Sequence, residues 1–185
     1  MKTRHHLKSL GLILCVLFSI SGMFGVSQAS TLMHPVAMPE FTNQNPAQWF
    51  NSPPLQRDDL KGKVVLLDFW TFDCWNCYRS FPWLNNLEQE FANKPFQVIG
   101  IHSPEFDHER VAARVADKIK EFGLKHPVMM DNNFTYWEAL SNRFWPTFYI
   151  IDKQGMLRHR FVGETKANTP KAEAIEAAIR HLLEK

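Results

Sequence analysis

The segment "KVVLLDFW", residues 63–70, is almost continuously apolar, is β-branched near its start and has one acid, Asp68, inside it. Such a run has no polar face, so it predicts a strand buried on both sides, as in a parallel sheet covered by helices. Its continuation, "TFDCWNCYRSFPW", passes into helical spacing from Trp75 to Phe91, with Leu84, Leu87 and Phe91 on one face and a kink expected at Pro82. Cys74 therefore falls at a strand-to-helix turn, and Cys77 one helical turn later.

The rest of the chain supplies the partners of such a strand. "FQVIGI" (96–101) is a second buried strand. In "DHERVAARVADKIKEFG", Val111, Val115, Ile119 and Phe122 recur at helical spacing, and Gly123 is placed to end the helix. A short strand is expected near "PVMM" and a short helix around "TYWEAL". "PTFYIID", "KQG" and "MLRHRFVG" read as an antiparallel hairpin. Thr169 and Pro170 provide an N-cap and first-turn proline for a last helix whose buried stripe is Ile175, Ile179 and Leu182. Strands alternating with helices give an α/β class with a mainly parallel sheet, and the hairpin adds an antiparallel edge. Ligands of such sheets sit beyond the carboxyl ends of the strands, where Cys74 lies.

The N-terminus has a different character. A basic start, the uncharged apolar run "GLILCVLFSISGMFGV" and the small residues Ser27 and Ala29 predict a secretory signal over residues 1–29 or, if uncleaved, a membrane anchor. Its removal takes away Lys2, Arg4 and Lys8 and no acid, lowering the formal net charge of +2 by three. No Lys/Arg run remains, so nucleic-acid binding and a polybasic membrane surface are unsupported. Residues 30–185 read as one domain, beginning with a Pro-rich, polar arm over 30–62 that packs on it.

The same cut removes Cys15 and leaves Cys74 and Cys77. Structural zinc needs four ligands, and there is neither a second cysteine pair nor a closely spaced histidine pair among His102, His108 and His126, so no metal is assigned. In an oxidising compartment a lone pair at this spacing forms a disulfide. A helix N-terminus stabilises a thiolate at Cys74, which makes it the attacking nucleophile, and Cys77 then resolves the mixed disulfide.

"VVLLDFWTFDCWNCYRSFP" resembles the active-site segment of the thioredoxin superfamily: Asp68 six residues before the first cysteine, the Phe69-Trp70 pair, the Cys-x-x-Cys and Pro82. With "GIHSPEF", "NRFWPTFYIID" and "FVGE", it is similar to the exported TlpA/ResA-like thioredoxins and the soluble domain of DipZ-type thiol:disulfide interchange proteins, over most of residues 49–185. The resemblance implies a thioredoxin fold, a mixed central sheet flanked by helices, with a small helix-strand insertion. It implies that Pro146 is a cis-proline facing the pair, that Trp145 touches substrate, that Asp68 exchanges protons with Cys77, and that Glu105 is an acid near the disulfide. Trp75 and Asn76 replace the Gly-Pro dipeptide common in thioredoxins and stand where a partner docks.

The expected activity is an exported, periplasmic thiol-disulfide oxidoreductase that reduces disulfides of exported proteins. Its cofactor is its own redox-active disulfide, its partners are protein thiols and disulfides together with a separate membrane electron donor, and it is a monomer. A second reading, a thioredoxin-like copper-binding protein or metallochaperone, draws on Met33, His34 and Met38, whose sulfur and imidazole suit copper. The copper-carrying relatives generally have three residues between their cysteines, and this chain has two. A peroxidase would need a peroxide-binding threonine, for which Thr71 is not convincingly placed.

Overall fold

Asp68 and its apolar neighbours form the middle strand of a mixed sheet in the structure, a computed structural model that describes residues 31–185. The expected signal, residues 1–29, lies outside the described residues. In chain order the strands are β1 (Thr31–Ala37), β2 (Trp49–Phe50), β3 (Val64–Trp70), β4 (Phe96–His102), β5 (Val128–Met130), β6 (Thr147–Ile151) and β7 (Met156–Val162). The α-helices are α1 (Trp75–Glu90), α2 (Ala112–Glu121), α3 (Thr135–Ala139) and α4 (Pro170–Glu184). Across the sheet the order is β1-β7-β6-β3-β4-β5-β2. β3, β4 and β5 are parallel, and the other pairings are antiparallel.

Every residue of β3 is buried, as its apolar run requires. Val64, Leu66 and Trp70 face one core with Phe81, Leu84 and Leu87 of α1, Val115 and Ile119 of α2, and Ile175 and Ile179 of α4. Val65, Leu67 and Phe69 face a second core with Tyr136, Leu140 and the arm residues Met38, Phe41 and Trp49. Each such side chain contributes about 1.5–3 kcal/mol through burial. The α2–β5 pair is the inserted helix-strand unit. The final helix starts as expected, with Thr169 Oγ1 accepting the Ala172 N–H at 3.3 Å.

Three expectations need correction. The described sheet is mixed rather than mainly parallel, because the hairpin strand β6 pairs directly with β3 and the arm adds an antiparallel strand at each edge, so two pairings are parallel and four antiparallel. The β6–β7 hairpin does not end the sheet, because β1 pairs outside β7. The arm thus supplies both edges, β1 on one side and β2 on the other. Its attachment is specific: Asn43 Nδ2 donates to Met130 O (2.7 Å), Asn51 Nδ2 donates to His126 O (2.9 Å), and Phe41 lies edge-on to Trp49 and stacked on Tyr136. The predicted helix over 107–123 is also broken. Asp107–Arg110 forms a separate 3-10 turn, and Val111, expected on the buried face, is extended and exposed ahead of α2. The break lets Glu109 turn inward, where its carboxylate is fully buried.

Candidate active site

β3 ends at Trp70, and Thr71–Asp73 carry the chain to Cys74, the N-cap of α1. The sulfur of Cys74 accepts the Cys77 N–H at 3.2 Å, and the two cysteines are joined by a disulfide. Cys74 is half-buried and Cys77 fully buried. Of the two sulfurs, that of Cys74 lies on the more open side of the turn, at the helix N-terminus. Trp75 is 64% exposed and stacks on Tyr78 at 5.3 Å. Asn76 is exposed, and its carbonyl accepts the Ser80 hydroxyl at 2.8 Å. Ser80 Oγ in turn accepts the Thr165 N–H (3.0 Å), tying the first turns of α1 to the segment before α4.

Asp68 lies behind this turn, on the same face of β3 as Leu66 and Trp70. Its Oδ1 has no hydrogen-bond partner, and burial pushes its carboxyl from the ordinary 3.8 up to about 8. A carboxyl raised this far approaches the ordinary value of a thiol, about 8.5, and proton exchange between groups so matched has little driving force either way.

The register Phe69↔Thr147 brings the start of β6 to the end of β3, and Pro146 immediately precedes it. The Trp145–Pro146 peptide bond is cis. Pro146 is buried, and its carbonyl accepts the Gly163 N–H at 2.8 Å. Trp145 is half-buried against the same core as Cys74 and packs on Trp137 with ring centroids 4.4 Å apart. Glu105 is exposed; its backbone N–H, not its carboxylate, ties it to its neighbours, donating to Glu109 Oε2 at 2.6 Å.

Glu109 is the residue that sequence reasoning missed. Its Oε1 accepts the Thr71 hydroxyl (2.5 Å) and the Asp73 N–H (3.0 Å), and its Oε2 accepts the N–H groups of Glu105 and Phe106 (2.6 and 2.7 Å). One buried carboxylate therefore holds the loop before Cys74 to the loop after β4. An acid three residues beyond Phe106, at the glutamate position of a capping box, was the available signal. Asp131, also unforeseen, plays a similar part: it accepts the N–H groups of Tyr136 and Trp137 and the Ser103 hydroxyl, fixing α3 under Trp145. His102 is buried between Trp70 and Phe72, and burial pushes its imidazole down to about 4.

Residues 36–179, a span that includes every group just described, match the Redoxin family. The chain belongs to the Redoxin family. It is a thioredoxin-like oxidoreductase domain with a Cys-x-x-Cys disulfide. Among Redoxin-like relatives, protein DipZ of Mycobacterium tuberculosis is 38% identical over 138 residues, 73% of this chain but only 19% of DipZ. The thiol-disulfide oxidoreductase YkuV of Bacillus subtilis is 25% identical over 122 residues, 66% of this chain and 80% of YkuV. The fold is that of a thiol:disulfide interchange protein DsbE structure from Chlorobium tepidum, with a TM-score of 0.69 at 24% identity over 83% of this chain and 99% of that one.

Among the described residues no group of three or more His, Cys, Asp or Glu side chains gathers in a metal-holding arrangement. Met38, one of the sulfurs of the copper reading, is packed in the second core. Among the same residues no helix is long and apolar enough to cross a membrane.

Proposed function

We propose that this Redoxin-family domain is an exported thiol-disulfide oxidoreductase that reduces disulfides of exported proteins. The observation that carries the proposal is the pairing of an accessible Cys74 at a helix N-terminus with a buried Cys77, above an Asp68 carboxyl raised to about 8. In the reduced domain the Cys74 thiolate attacks a partner's disulfide, forming a mixed disulfide and releasing one partner sulfur as thiolate. Cys77 gives its proton to Asp68 and attacks Cys74 Sγ. The Cys74–Cys77 bond forms, the mixed disulfide breaks, and the partner leaves with both sulfurs reduced. The two electrons come from the dithiol, which a separate membrane donor restores. No organic cofactor takes part.

Exposed Trp75, half-buried Trp145 and Pro146 form the surface for the partner's chain in this reading, and the domain works as a periplasmic monomer. Export rests on the signal-like residues 1–29, and the reducing direction rests on the resemblance to the DipZ and ResA-like proteins. Two experiments test the scheme. Cys74→Ser abolishes exchange, whereas Cys77→Ser accumulates mixed disulfides seen on non-reducing gels; turnover retained in Cys74→Ser defeats it. The equilibrium potential tests direction, with about −270 mV expected of a reductant and about −120 mV of an oxidant.

A further inference from the structure

The proton that Asp68 takes from Cys77 must leave while a partner covers the disulfide face, and the structure offers a way out behind it. Asp68 stands opposite Gly100 in the β3–β4 register, with both on the face that carries Trp70 and Val98. Gly100 has no side chain, and the place a Cβ would take lies 2.9 Å from Trp70 Nε1, 3.0 Å from Val128 Cγ2 and 3.3 Å from His126 Nε2, so both ring nitrogens come up against this glycine. Trp70 Nε1 and His126 Nε2 at this glycine, and Oδ1 of Asp68 on the strand position opposite it, are buried and have no protein partner. A buried polar atom left unsatisfied is destabilising, and a buried water typically bonds about three such groups.

The imidazole of His126 is fully buried, and its Nδ1 lies 3.3 Å from Glu88 Oε2 on α1. A carboxylate accepts, so Nδ1 carries the hydrogen and Nε2 is left as an acceptor aimed at the Gly100 position. The Glu88 side chain is 25% exposed and reaches solvent along α1. Two other titratable groups nearby point elsewhere. Lys125 is exposed, and His102, one turn of the pleat further along β4, points its Nε2 at Thr71 Oγ1.

We infer that Asp68, a water held by Trp70 Nε1 beside Gly100, His126 and Glu88 form a proton path from Cys77 to solvent on the side of α1 away from the docking partner. This inference rests on the proposed proton transfer between Cys77 and Asp68. The proton moves from Asp68 through the water to His126 Nε2, the Nδ1 proton passes to Glu88, and Glu88 releases it; return of the water and imidazole to their starting forms completes the cycle. His126 and Glu88 never touch substrate, so they position and relay.

The test mixes the reduced full chain with oxidised glutathione and follows, by quenched-flow mass analysis from pH 6 to 10, the formation of the Cys74-glutathione mixed disulfide and its resolution by Cys77. His126→Phe and Glu88→Gln should leave the first step unchanged and slow the second by at least about tenfold near neutral pH. The solvent deuterium isotope effect on resolution should rise in both. Glu88 is partly exposed and Glu88→Gln keeps its shape, so this variant keeps the test available if His126→Phe fails to fold. A resolution step in Glu88→Gln that superimposes on the wild type across the pH range overturns the path. If Asp68→Asn slows resolution while Glu88→Gln does not, the path fails and the Asp68 assignment survives; if Asp68→Asn also leaves resolution unchanged, that assignment fails with it.

Discussion

Two buried carboxylates belong to the surroundings of the disulfide, Asp68 on the strand before it and Glu109 through its bonds to Thr71 and Asp73, and they are held in opposite ways. Glu109, on the loop after β4, accepts four hydrogen bonds from Thr71, Asp73, Glu105 and Phe106. Asp68, in the middle of β3, has an oxygen with no partner and is pushed by burial up to about 8. A charge surrounded by donors holds structure together, and an acid deprived of them is set to exchange a proton near neutrality. The difference between scaffold and chemistry at this site lies in hydrogen bonding, since both side chains are equally inaccessible.

The contrast predicts effects of opposite sign. The largest is at Glu109: Glu109→Ala leaves the buried Thr71 hydroxyl and three backbone N–H groups without their acceptor, and should cost about 3 kcal/mol in urea unfolding. Next is Asp68→Asn, which should stabilise the oxidised domain. The carboxyl titrates at about 8 when folded and near 3.8 when unfolded, so the native state holds the proton more tightly. Its stability is full below about pH 4 and falls as pH rises towards 8, and the asparagine removes that loss. The gain should be on the order of a few kcal/mol at pH 9 and much smaller at pH 5; equal gains at both contradict the assignment. Thr71→Val keeps the shape but deprives Glu109 Oε1 of its short bond, for a cost of about 1–2 kcal/mol. The smallest effect is at the His108–Asp73 pair, 2.5 Å apart but over two-fifths exposed on both sides, where His108→Asn should change stability by less than about 0.5 kcal/mol.

Much of this was legible in the residues. β3 could be read because seven consecutive buried positions leave no polar alternation, and α1 and α4 because their apolar stripes recur at helical spacing. The two edge strands could not. β2 is two residues long in a Pro-rich stretch, and what holds it is Asn43 and Asn51 reaching more than 70 positions along the chain to Met130 and His126. The pattern of a single helix over 107–123 hid its break, because "FDHER" has the look of a solvated, charged face, whereas its second acid, Glu109, is turned inside. At the site, Asp68 stood out as an acid inside an apolar run, and the cysteines by their spacing at the strand-to-helix turn. Glu109 did not, and an exposed neighbour, Glu105, drew the attention instead. Periodicity reports which face is buried; it does not report which polar group has found its donors.

The most direct test of the account is a carbon-13 titration of the Asp68 side-chain carboxyl in the oxidised full chain, assigned by its loss in Asp68→Asn. The account predicts a midpoint near 8, as burial without a hydrogen-bond partner requires. A midpoint near the ordinary 3.8 would contradict it, and would remove Asp68 from the chemistry of the Cys74–Cys77 couple.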